Sequence, residues 1–104
     1  MNKQYIENKQ CLNQGVKNAI IKLDDKYPNA ISVFGSALWA YQPINPDLKS
    51  FIAYLPSVIH NAKFYSWHEG AVGALRRFCR LCLVDPMLVE LYIGMSFDEL
   101  VTKS

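Results

Sequence analysis

Apolar residues recur along most of this chain at the three-, four- and seven-residue spacing that places them on one side of a helix. In the first block Tyr5, Leu12, Val16, Ala19, Ile20 and Leu23 form such a stripe, which predicts a helix from about Lys3 to Lys26, weakened but not ended at Gly15. Tyr27, Pro28 and Asn29 stop it, because a residue before proline avoids the helical region, and Asn29 is placed to cap the next helix. Ile31, Phe34, Leu38 and Tyr41 then predict a helix from Ala30 to about Tyr41. The β-branched Ile31 and Val33 also suit a short strand, but no second strand is on offer to pair with it.

Pro43, Asn45 and Pro46 make a stiff connection, with Asn45 as cap and Pro46 in the first turn of a helix running from Asp47 to about Ala62. Leu48, Phe51, Ile52, Leu55 and Ile59 give its apolar stripe, and Pro56 predicts a kink or a division into two shorter helices. The strongest pattern runs from Ser66 to Val84. Trp67, Ala71, Ala74, Leu75, Phe78 and Cys82 take its inner side, and Ser66 with Glu69 reads as a capping box. Asp85 and Pro86 open a further helix through Ile93, Gly94 suits its end, and Ser96 with Glu99 reads as a second capping box for a short terminal helix. The expected fold is therefore all-α: a compact bundle or orthogonal array of five to six helices in a single domain spanning residues 1–104.

Composition sharpens this picture. The chain is 51% hydrophobic and 19% charged, against about 25% charged in an average globular protein. Such a balance opposes disorder and predicts some exposed apolar surface. The polar start and the absence of a long apolar run predict neither secretory signal nor membrane span. Three cysteines with no paired framework, and no Asn-x-Ser/Thr site, point to a reducing, cytoplasmic home.

The net charge of +2 is unevenly spread. Lys49, Lys63, Arg76, Arg77 and Arg80 outweigh Glu69 in residues 49–80, whereas Asp85, Glu90, Asp98 and Glu99 outweigh Lys103 in the last stretch. Pairing between the basic middle and the acidic end is the plain expectation.

Candidate chemistry is sparse. Cys79 and Cys82 form a C-x-x-C pair, with His60 and His68 upstream as conceivable zinc ligands. In a helical hairpin turning near Phe64 and Tyr65, however, His68 lies roughly 16 Å along the same helix from Cys79, and His60 lies near the turn, roughly 20 Å away. A redox pair would open a helix after a strand, where the helix dipole activates the first thiol, not close one. Packing is the simpler role, with Cys82 in the core and Cys79 on the flank. His60 and His68 could meet at the hairpin end beside Glu69, but no nucleophile, oxyanion hole or phosphate loop accompanies them. No catalytic residue, metal or cofactor is expected.

What remains is a face composed of Glu69, Gly73, Arg76, Arg77 and Arg80. It could hold phosphates, an acidic protein surface or the chain's own acidic end. The expected function is protein–protein binding without catalysis, by an adaptor, inhibitor or immunity-type factor, with a homodimer admitted as one form. The alternative is a nucleic-acid-binding regulator using the basic face of the helix 66–84. A helix-turn-helix reader is disfavoured, since Asp98 and Glu99 would lead the recognition helix and repel phosphates.

Overall fold

A computed structural model describes residues 14–34 and 48–104. Within them lie helices α1 (Gln14–Lys26), α2 (Leu48–Ala53), α3 (Leu55–Phe64), α4 (Gly70–Leu81), α5 (Pro86–Ile93) and α6 (Phe97–Lys103), with residues 30–34 also helical and no strand among the described residues. The all-α expectation holds. The stripe positions Tyr5 and Leu12, the positions Leu38 and Tyr41, and the Asn45–Pro46 start signal lie outside the described residues.

Pro56 divides the third block as its chemistry requires. Lacking an N–H, it sits in the first turn of α3, and the chain breaks at Tyr54, whose N–H turns back to the Phe51 carbonyl at 3.1 Å. α3 and α4 form the most extensive helix pair, with α6 and α1 also against α4. The core between them is aromatic. Phe51 and Phe78 stack with ring centres 4.8 Å apart, Phe78 faces Phe34 at 6.5 Å, and Phe34 meets Trp67 edge-on at 5.2 Å. All three phenylalanines are fully buried, and each contributes about 2–3 kcal/mol by leaving water.

The start of α4 departs from the sequence expectation. Ser66 is not its cap; with φ +49° it is the left-handed residue that ends α3. Its N–H reaches the Lys63 carbonyl at 3.2 Å and the Trp67 N–H reaches the Ala62 carbonyl at 2.8 Å, the paired bonds of a Schellman turn. Glu69 takes the cap position without a side-chain cap bond, and Gly70, at φ +73°, supplies a left-handed conformation that glycine adopts without strain. The far end repeats the device. Leu83 is left-handed at φ +58°, and Val84 donates to the Cys79 carbonyl at 2.8 Å. The helix expected over Ser66–Val84 is thus Gly70–Leu81, set between two Schellman turns.

Side-chain oxygens settle the other corners. Asp85 Oδ1 accepts from Met87 N at 2.9 Å and Ser96 Oγ accepts from Glu99 N at 3.2 Å, as those start signals require. The side-chain cap of the segment 30–34 is Asp24 instead of Asn29: Oδ1 accepts from Ile31 N at 3.3 Å, while Asn29 is left-handed at φ +68°. Glu90 does the same for α6, accepting from Phe97 N at 2.8 Å. Both Asp24 and Glu90 stand near the end of the helix before.

Candidate functional site

The arginine face divides on inspection. Arg76 and Arg80 are exposed on α4, whereas Arg77 is half-buried and committed. Its Nε–H donates to Glu69 Oε1 at 2.7 Å, and its guanidinium lies 5.4 Å from the centre of the Tyr27 ring. The bonded Arg77 holds the Glu69 carboxyl below its usual range; partial burial acts against this, and nearby His68 and the Trp67 indole N–H add smaller pulls. That indole N–H is buried without a hydrogen bond of good geometry.

Gly73 makes the pair fit. A Cβ at this position would collide with the Glu69 Cβ, one turn earlier, so the glycine gives room to a neighbouring side chain and not to another helix. Tyr27, at the end of α1, completes the junction. His68 stacks on its ring at 3.8 Å between centres, and Trp67 approaches edge-on at 6.0 Å. His68 Nε2 also lies 3.5 Å from Glu69 Oε1, while His60 stands exposed on α3.

The basic middle and the acidic end do not pair as expected. Asp85 and Glu90 cap helices, Glu99 turns to Ser96, and among the described residues no carboxylate of the final stretch lies within ion-pairing distance of Arg76 or Arg80. The contact that does join these regions is Lys63 Nζ donating to the Val101 and Ser104 carbonyls at 3.3 and 3.5 Å.

Cys79 departs from its expected flank position: it and Cys82 are both free thiols in the core. Burial pushes Cys79 up to about 12 and raises Cys82 as well, so neither is a ready thiolate. Among the described residues no group of three His, Cys, Asp or Glu side chains is placed to share a metal ion.

Two surfaces escaped the sequence reading. A groove of about 600 Å³ lies between α1 and the second half of α4. Gly15, Ala19, Leu23, Leu81, Leu83 and Tyr27 line it, together with the cations Lys22, Lys26, Arg77 and Arg80. Ala19 and Leu23, expected in the core stripe, are half-exposed here, because Ile20 forms the buried edge of α1.

The second surface is the outer side of α5. Met87, Leu88, Leu91 and Tyr92 are 69%, 53%, 76% and 58% exposed, while Val89 on the opposite side is fully buried. Among the described residues no helix is long and apolar enough to cross a membrane. Compared with protein-family models, curated proteins and solved structures, the chain matches none.

Proposed function

We propose that the protein acts by binding another protein, in an adaptor- or inhibitor-like role without catalysis, and that the outer side of α5 is the contact surface. The observation that carries this reading is the set of Met87, Leu88, Leu91 and Tyr92, four large apolar side chains more than half exposed on one arc of a two-turn helix. Single exposed leucines are ordinary on a protein surface; four on adjacent turns form a patch of the kind that interfaces cover. Covering each contributes about 1.5–3 kcal/mol, enough together for a specific contact once ordering costs are met. Met and Tyr are enriched in such patches. Arg76, exposed on α4, is a candidate charged contact, while Arg77 is bonded to Glu69.

The test pairs wild type with Leu88→Glu/Leu91→Glu, both positions being solvent-facing. Light scattering reports self-association, and cross-linking in host cells with mass spectrometry reports partners. The double variant should fold and lose the complex. Identical mass and partners for both proteins, or a wild-type monomer that cross-links to nothing, would refute the proposal.

Nucleic acid is the second reading. Lys22 and Lys26 add to its basic surface, but Glu69 answers the charge of Arg77. Retention on DNA or RNA that falls steeply with salt would favour it.

A further inference from the structure

The groove between α1 and α4 is graded from end to end. Arg77 meets the Tyr27 ring at the C-terminal end of α1, where Lys22 and Lys26 project from the last turns. Gly15 and Ala19, at the other end of α1, share the groove with Leu81, the last residue of α4, and Leu83 just beyond it. The two helices therefore run past each other in opposite directions, with Lys22 and Lys26 beside Leu23 and Tyr27 toward one end and the small or apolar Gly15, Ala19, Leu81 and Leu83 toward the other. Arg80 stands between. From Gly15 to Lys26 the groove follows α1 for eleven residues, roughly 16 Å at the helical rise.

We infer that this groove binds a single-chain amphiphile with an anionic head, its chain along Gly15, Ala19, Leu81 and Leu83 and its carboxylate among Lys22, Lys26 and Arg80. Three observations support that occupant. The volume of about 600 Å³ falls within the range of small-ligand sites, about 300–1,000 Å³. The charge is one-sided, since the described lining holds four cations and no carboxylate. Arg77 is answered by Glu69 at 2.7 Å, but neither Lys22 nor Arg80 has an ion-pair partner among the described residues, which leaves two cations for a ligand head. A neutral apolar ligand would leave these charges unused, and a small inorganic anion would leave the apolar end unfilled.

Laurate is the probe, with dodecanol as its uncharged counterpart and decanoate as the shorter acid, measured by titration calorimetry on the full chain. Laurate should bind one to one, dodecanol at least tenfold more weakly, and decanoate weaker than laurate by roughly tenfold for the two methylenes lost. Amide signals of Ala19, Leu23 and Leu81 should shift on addition. Lys22→Glu/Arg80→Glu, at exposed positions, should weaken laurate at least tenfold and leave dodecanol unchanged. Ala19→Phe, which fills the apolar end, should weaken both. Equal affinity for laurate and dodecanol, full laurate affinity in the charge-reversed variant, or shifts confined to Met87 and Leu91 would each overturn the assignment.

Discussion

Arg77 reaches back across two helical turns to Glu69, donating Nε–H to Oε1 at 2.7 Å over a position where Gly73 has no side chain. The ion pair and the glycine are one arrangement. An alanine side chain at this position would press on the Glu69 Cβ, an atom fixed to the backbone, and not on a mobile side-chain tip. Alanine normally strengthens a helix relative to glycine by about 1 kcal/mol. Here Gly73→Ala should lower the melting temperature instead, and the Glu69–Arg77 double-mutant cycle should lose its coupling in the Gly73→Ala background. A stabilised Gly73→Ala protein would show that the pair does not need the gap.

Acid should weaken the same pair. Glu69 is held below its ordinary value of 4.5, so its ionised form is favoured in the folded protein. Its contribution is complete above about pH 4.5 and is lost as pH falls through the lower folded value. Glu69→Gln should therefore differ from wild type in melting temperature at neutral pH and converge with it in acid. A difference that persists unchanged at pH about 3 would contradict this linkage.

The two core thiols should be slow to react. With Cys79 pushed up to about 12 and both side chains buried, alkylation by iodoacetamide at mildly alkaline pH should follow the rate of unfolding. Raising the pH past 9 lets an unfolded Cys79 ionise while the folded one stays neutral, so stability should fall between about 9 and about 12. Labelling of Cys79 and Cys82 at the rate of a free thiol would place them outside the core.

Glu90→Ala should remove one of two side-chain caps at the start of α6, Ser96 keeping the other. The carboxylate accepts from Phe97 N at 2.8 Å, and removing such a cap costs about 1 kcal/mol, range 0.5–2. Chemical denaturation should show that loss with an unchanged denaturant slope, and hydrogen exchange should quicken at Phe97.

Leu83→Gly should act in the opposite direction. Leucine at φ +58° carries the left-handed penalty of about 1–2 kcal/mol, and the side chain is 87% exposed, so little packing is lost. A gain of up to about 1 kcal/mol is expected, the remainder being offset by the freer unfolded chain. Laurate affinity should fall in the same variant, because Leu83 lines the apolar end of the groove.

The helical plan was legible because period and punctuation act locally. Pro56 divided its block, Asp85–Pro86 opened α5, and Gly94 closed it, at φ +82°. Ser66 misled for a physical reason: Ser-x-x-Glu describes one helix start, whereas the bond from Trp67 N to the Ala62 carbonyl belongs to the end of the helix before. Asp24 and Glu90 as caps of the following helix were hidden as well, since a seven-residue reach across a corner depends on how two helices meet.

The surfaces were less legible still. Periodicity marks α5 as apolar nearly all round but does not say which arc a neighbour covers, so the exposure of Leu91 was invisible. Lys22 and Lys26 did leave a signal, a basic pair one turn apart beside Ala19 and Leu23. It gains meaning only when Arg80 arrives from α4, a step that requires the tertiary fold.

The corner bonds from Ile31 N to Asp24 and from Phe97 N to Glu90 each close within seven residues of chain. Neither waits for a distant segment, and loops this short close in about 10–100 ns. The two helical corners can thus be set while α3 and α4 are still finding each other. Bringing the Phe34 and Phe51 rings against Phe78 instead joins segments far apart in the chain, the kind of contact that forms more slowly.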